Sequence, residues 1–394
     1  MKIVHICICG LWSEKYAYHD NLLPKFHKNL GNDVTIIAPT YAGFFGYDGN
    51  IVEEEAGISF LDSGIKLIRV KPLIKSYAIN QHLHLFHSIK QYVIDEKPDF
   101  IFVHDVYSFN YTSLITVKHL FPKTKIVFDN HADSINSTHN FLSKFLNGFI
   151  YRFFLTNRLN RISDIFYGVT PSRCDFLHSM YGIPRYKIKL LVMGADDEKM
   201  HLDQKILIRK EVRDKYNITD SDFLIVTGGK IDEKKNIHLL AEAVKEITCP
   251  NVKILLFGTI CESLKDYVNN ILCNRVIYIG WVNSDCVYNY FYAADLVVFP
   301  GLHSVLWEQA VACGIPCAFS DLSGFKHINF NDNCIFLKNS TVEYYKETIM
   351  SIYNDKAKYN QLKINAQDER SLDFTYSRIA KKVIEDSFGK NYDK

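Results

Sequence analysis

A chain of 394 residues is long for one core, so two α/β domains are the expectation. With 47% apolar and 23% charged residues it is globular rather than disordered, and a formal net charge of +2 excludes the basic balance of a dedicated nucleic-acid binder. Its ten cysteines lack metal-ligand spacing and read as scattered thiols of a reducing compartment, so a cytoplasmic location is expected. No run approaches the ~18 apolar residues that would span a membrane.

Short apolar runs alternate with amphipathic stretches, the pattern of parallel sheets with crossover helices. The opening Met1–Gly10 reads as a strand rather than a signal peptide, because its apolar core is short and no small-residue cleavage pattern follows. Strands are predicted near 2–9, 34–38, 67–71, 100–104, 125–129, 165–169 and 188–192, with helices near 21–30, 80–96, 139–163 and 172–182. The first helix sets Leu22, Leu23, Phe26 and Leu30 on one face and stops at Gly31. The polar stretch 196–221 marks the boundary, dividing the chain into 1–198, 199–372 and a C-terminal helix, 373–394, that packs back on the first domain. The pattern restarts at Phe223, with a helix over 236–247 and strands near 252–257, 275–279, 295–299 and 315–319. Two doubly wound halves imply a ligand cleft between them.

Val297–Pro316 carries the most chemistry. A buried strand ends at Pro300-Gly301, Ser304 is an N-cap, and a helix from Val305 to Cys313 follows, stopped by Gly314 and Pro316. Strand, tight turn and helix N-terminus make an anion site, and Glu308, one turn in, suits ribose hydroxyls better than phosphate. A second strand end reads Gly228-Gly229-Lys230-Ile231-Asp232-Glu233-Lys234-Lys235-Asn236. The glycines admit close backbone approach, and Lys230 and Lys235 can neutralise a diphosphate. Asp220-Ser221-Asp222 fits an Asp-x-Asp metal pattern but lies in the polar linker, where it reads as a cap. The helix over 139–163 mixes phenylalanines with Lys144, Arg152, Arg158 and Arg161. It is either a core helix with solvated charges or a surface that meets an anionic membrane.

Gly229-Lys230-Ile231-x-x-x-Lys235-Asn236 resembles the Gly-Arg-Leu-x-x-x-Lys-Gly/Asn motif of retaining GT-B glycosyltransferases of the group-1 or family-4 type. Glu308-Gln-Ala-Val-Ala-Cys-Gly-Ile-Pro316 resembles that family's Glu-Ala-Met-Ala-Cys-Gly-x-Pro, and Asp321-Leu-Ser-Gly324 its following Asp-x-x-Gly. Gly31–Ile37, Val169–Ser172 and Met193–Asp196 match further family segments, in the right order. The resemblance implies a GT-B fold of two Rossmann-like domains facing each other across a cleft, and transfer of a sugar from a nucleotide-sugar donor with retention. Lys230 and Lys235 would hold the diphosphate and Glu308 the ribose. His131 would lie near the transferred sugar, and Gly10 and Gly229 would approach the ligands. Amides after Ser304, beginning with Val305, would cap the leaving group. No cofactor or metal is implied. Family habit points to surface polysaccharide biosynthesis, such as lipopolysaccharide or capsule, with a glycan or lipid-linked acceptor. That places the enzyme in the cytoplasm, at the inner face of the cell membrane.

One departure stands out. The family carries Glu-x7-Glu, and the position eight before Glu308 is Pro300, so the first glutamate is missing and the loop is short. His303 or Ser304 is expected to take over part of its task. Two rival readings stay open: a nucleotide-sugar epimerase or hydrolase on the same fold, and a non-catalytic sugar-nucleotide-binding partner.

Overall fold

The computed structural model describes residues 1–14, 17–43, 51–137 and 145–389. The chain forms two units, Met1–Val192 with Ile379–Lys394, and Met193–Arg378. The crossing falls at 192/193 rather than 198/199 because Ala195 bridges Thr375, its amide donating to the Phe374 carbonyl, which ties it into the second unit. The last helix, Tyr376–Phe388, returns to the first unit from residue 379. There Asp386 accepts from Tyr167 at 3.1 Å and from Lys189 at 2.8 Å.

The sheet of unit 1 has the order β10-β9-β8-β7-β1-β2-β6-β5. Its strands are β1 (Lys2–Ile6), β2 (Asp33–Pro39), β5 (Gly57–Phe60), β6 (Lys66–Val70), β7 (Phe100–Val103), β8 (Lys125–Asn130), β9 (Ile165–Gly168) and β10 (Ile188–Leu190). All pairs are parallel except the edge pair β5–β6. A hairpin, β3 (Tyr41–Gly43) with β4 (Ile51–Glu53), stands apart from it. The central runs, such as Phe100-Ile-Phe-Val103, are apolar on both faces because helices cover both.

The sheet of unit 2 is wholly parallel, with the order β13-β12-β11-β14-β15-β16. Its strands are β11 (Phe223–Ile231), β12 (Val252–Ile260), β13 (Val276–Tyr278), β14 (Leu296–Phe299), β15 (Cys317–Ser320) and β16 (Cys334–Leu337). Counted within the unit, this is the 3-2-1-4-5-6 order of a dinucleotide-binding sheet. Its switch point lies between β11 and β14, where open α/β sheets bind ligands beyond the strand ends.

Several predicted helices change. The first runs from His19 to Asn29; Leu22, Leu23 and Phe26 are buried, but Leu30 falls beyond its end and is exposed. The single helix expected over 80–96 is two, Tyr77–Leu83 and Lys90–Glu96. His84 turns left-handed at φ 48°, and the Asn80 side chain accepts from the Leu85 amide, so the backbone leaves the helix there. Of the stretch 139–163, residues 139–144 lie outside the described residues. Leu146–Thr156 is a π-helix and Asn157–Ile162 an α-helix.

Toward the carboxyl ends of β11 and β12, Gly229 and Gly258 are cross-strand partners, with φ of 106° and 113°. A Cβ on Gly258 would lie 1.9 Å from the Gly229 carbonyl oxygen, so the two backbones approach as only glycines allow. Gly10, in contrast, is exposed and has open space around it. Gly258→Ala is therefore expected to destabilise unit 2 by at least ~2 kcal/mol, and Gly10→Ala to stay within ~0.5 kcal/mol of wild type, both read by urea unfolding.

Candidate functional site

The carboxyl ends of β11 and β14 carry one connected set of residues. After β11, Asp232 Oδ1 accepts from the amides of Lys234 and Lys235, each at 3.1 Å, and closes the turn. Asn236 is left-handed at φ 54° and donates its side-chain amide to the Pro300 carbonyl at 3.3 Å. The Leu302 amide donates to the Lys234 carbonyl at 3.1 Å. Gly301 lies so close beneath that a Cβ there would come within 2.4 Å of the 234–235 backbone. Lys235 completes the joint, its ammonium donating to the carbonyls of Leu302 at 2.5 Å and His303 at 3.1 Å. Burial lowers its pKa to about 8, with Asp232 opposing the shift. Lys230 is different: its side chain is 70% exposed and pairs with Asp232 at 3.6 Å. The two lysines expected to act as one clamp are thus held in two ways, one fixed to the loop carbonyls and the other exposed and paired with Asp232. Gly229 backs onto the Leu306 side chain, 3.2 Å from where a Cβ would be, and so brings the end of β11 against the next helix.

That helix runs Leu306–Ala312, with Val305 at its N-cap and no capping side chain. Ser304 is not the cap: the Trp307 amide bonds the Ser304 carbonyl at 3.0 Å, so a tight i to i+3 turn precedes the helix and displaces its start. Glu308 is fully buried rather than standing at an open mouth. Its Oε1 lies 2.8 Å from His303 Nε2 and 2.9 Å from His327 Nε2. Burial works to raise its pKa, but the two imidazoles outweigh burial and hold it at about 2. The His303 side chain therefore secures Glu308 and offers its backbone carbonyl to Lys235, instead of reaching outward in place of the missing glutamate. Among the described residues, three polar atoms here have no hydrogen-bond partner: Glu308 Oε2, Trp307 Nε1 and His327 Nδ1. Buried, unmatched polar atoms are uncommon and costly, and grouped acceptors and donors of this kind suit a polar ligand. His327 lies in the turn Lys326–Ile328 and escaped sequence reasoning, because a lone histidine in a polar loop carries no signal.

Gly10 and His131 belong to unit 1. His131 follows β8; its amide donates to Asp105 Oδ1 at 3.1 Å and its Nε2 lies 3.5 Å from Asp129 Oδ2. Its side chain is 31% exposed. Burial opposes the imidazolium, but Asp129 and Asp105 outweigh it and raise the pKa above the ordinary histidine value. Behind it lie His5, His19, His27, His104 and Asp129, all buried. Sequence reasoning did not collect them, although His104 and Asp129 flank the ends of adjacent parallel strands, a pattern that could have been read. Asp222, in the linker Asp-x-Asp, accepts from the Thr219 amide at 2.6 Å and pairs with Lys253 at 2.9 Å, which occupies it structurally.

Both units match known families. Residues 208–369 match the model of glycosyl transferases group 1, and residues 19–199 that of Glycosyltransferase Family 4. An uncharacterized glycosyltransferase of Methanocaldococcus jannaschii is 25% identical over 41% of this chain and 43% of its own length. Mannosylfructose-phosphate synthase of Agrobacterium fabrum is 24% identical over 57% of this chain and 52% of its own. The chain thus spans about half the length of the curated relatives it matches. Among solved structures, Anabaena HepE in complex with UDP and glucose superposes with a TM-score of 0.65, at 15% identity and 98% coverage of both chains. The chain is a member of the glycosyltransferase superfamily with the GT-B fold.

The buried Glu308 carboxylate gives a pH signature. Its folded pKa lies below the unfolded value of ~4.3, so its contribution to stability is present above ~4.3 and is lost as pH falls toward about 2. The stability difference between wild type and Glu308→Gln, measured by urea unfolding, is expected to shrink over that interval. His327→Ala, at neutral pH, removes one of the two partners and is expected to cost ~1–3 kcal/mol.

Proposed function

We propose that this chain transfers a glycosyl group from a nucleoside-diphosphate sugar to a glycan or lipid-linked acceptor, with retention at the anomeric carbon. The observation that carries the reading is the set at the ends of β11 and β14: a fixed half-buried lysine, a second exposed one, and a buried carboxylate with an unmatched oxygen. In the proposed complex the Lys235 and Lys230 ammonium groups neutralise the diphosphate. They stabilise it as a leaving group, the step at which preorganised positive charge acts most strongly. Glu308 Oε2 accepts from a ribose hydroxyl. The departing phosphate oxygen takes the acceptor proton, and no metal serves the diphosphate.

Surface polysaccharide assembly, of lipopolysaccharide or capsule, is the proposed setting, in the cytoplasm at the inner face of the membrane. Among the described residues no helix is long and apolar enough to cross a membrane. The surface of the π-helical segment supports peripheral contact. Phe145, Phe149, Phe153 and Phe154 are exposed there, with ring centroids 5.3 Å apart for the first pair and 5.2 Å for Phe149 and Phe153. The i to i+5 turn sets residues four and five apart along one face. Between Lys144 and Lys189 the chain has eight Lys/Arg against two Asp, a net of +6. Salt-sensitive flotation with anionic vesicles is expected, and its absence would remove the membrane contact.

The activity is tested by incubating the protein with a panel of nucleotide sugars and measuring released nucleotide, with and without candidate acceptors. Acceptor-dependent release supports transfer. Turnover without acceptor would point to an epimerase or hydrolase, and binding without turnover to a non-catalytic partner. Lys235→Ala is expected to abolish turnover while the protein stays folded; unchanged activity would sink the diphosphate assignment. In the wild type, nucleoside-diphosphate affinity measured by calorimetry should fall as pH rises through about 8, where free Lys235 loses its proton. The fall approaches ~tenfold per pH unit for one linked proton, and Lys235→Ala should remove it.

A further inference from the structure

A string of imidazoles runs through the interior of unit 1. His27 Nε2 lies 3.2 Å from the Ala380 carbonyl oxygen, and His27 Nδ1 lies 2.9 Å from His5 Nε2. His5 Nδ1 lies 3.1 Å from His104 Nε2, and His104 Nδ1 lies 3.3 Å from Asp129 Oδ2. Each of these gaps needs a positive hydrogen between its two lone-pair atoms. A carbonyl oxygen only accepts, so His27 donates from Nε2. A neutral His27 then accepts at Nδ1 from His5, and a neutral His5 accepts at Nδ1 from His104. All protons of three neutral rings are now used. The Nδ1 lone pair of His104 faces a carboxylate oxygen in a fully buried site, and a cation must separate them.

The surroundings say which cation. Among the described residues Asp129 Oδ2 has no well-formed hydrogen bond, yet three imidazole nitrogens surround it. His104 Nδ1 stands at 3.3 Å, His19 Nε2 at 3.4 Å and His131 Nε2 at 3.5 Å. Charge-assisted hydrogen bonds run at ~2.7–2.9 Å, as they do around Glu308. The 3.3 Å and 3.4 Å separations of His104 and His19 from Asp129 Oδ2 instead match two edges of a tetrahedron, ~3.3–3.4 Å, whose corners lie ~2.0–2.1 Å from a zinc ion. The ligand atoms of His19, His104 and Asp129 all lie within 4.8 Å of one another. Asp129 Oδ1 accepts the Asp105 amide at 2.7 Å, which orients the carboxylate.

We propose that His19, His104 and Asp129 bind a divalent d-block cation of the zinc class, with His131 Nε2 beside the remaining position. Imidazole and carboxylate donors suit such an ion. His104, metal-bound at Nδ1, donates its other N–H to His5, and the string ends on Ala380 as outer-shell support. The ion would tie the start of helix His19–Asn29 to the ends of β7 and β8 and fix the backdrop of His131. It acts on unit 1; the diphosphate residues lie in unit 2.

Purified full-length protein is treated with a chelator, dialysed and titrated with Zn2+ alone, with metal content read by mass spectrometry and melting temperature in parallel. One equivalent per chain and a higher melting temperature are expected, and Co2+ should give the visible bands of a tetrahedral site. Asp129→Asn and His104→Ala should lose the equivalent. Should those variants not fold, His19→Gln leaves the string to Ala380 intact and should weaken Zn2+ binding at least ~tenfold. No stoichiometric Zn2+ in the wild type, or binding undiminished in His19→Gln, overturns the proposal; the first of these would make the cation a proton.

Discussion

The Lys235 ammonium, seated on the carbonyls of Leu302 and His303, is the interaction on which unit 2 turns. It joins the turn after β11 to the loop after β14, the two strands that flank the switch point. Without it, the Asp232 cap and the Gly301 contact would hold two neighbouring loops with no charged group between them. Its position sets a compromise. Burial makes the ammonium easier to deprotonate, and that same desolvation strengthens its pull on any anion that displaces the water beside it.

Each unit buries a carboxylate ringed by imidazoles, and the geometry differs in an informative way. Around Glu308 the contacts are as short as hydrogen bonds to a charged group, and the second oxygen is left over. Around Asp129 the second oxygen is tied to a backbone amide, and the first is encircled at longer range. A carboxylate in water-excluded surroundings stays ionised only where positive charge compensates it. His303 and His327 close on one oxygen of Glu308 and, among the described residues, leave the other unmatched. Asp129 has three imidazole nitrogens around one oxygen.

The alternation of apolar runs with amphipathic stretches was enough to read two α/β units, because strands covered on both faces are apolar throughout and have little else to be. The same logic failed near His84, where a left-handed residue and an asparagine side chain interrupt a helix that hydrophobic spacing alone would continue. Motif spacing located Lys235 and Glu308, since their chemistry is tied to strand ends. It did not show that His303 turns inward, because whether a loop side chain faces ligand or core depends on Trp307 and Phe325, against which its ring packs at 5.2 Å and 4.8 Å. His327 and the histidines of unit 1 were out of reach for a related reason. They meet only after residues far apart in the chain, such as His5 and His104, are brought together by strand pairing.

The 3-2-1-4-5-6 strand order also has a kinetic side. Lys235 and Leu302 are 67 positions apart, so their contact closes a long loop that encompasses β12, β13 and β14. Closure entropy grows with loop length, and contacts distant in sequence form after local ones. This contact is thus among the last features of unit 2 to assemble and among the first to open when the unit loosens. Nascent chains that end before residue 300 contain four of the six strands and still lack Leu302 and His303, the carbonyls on which Lys235 closes.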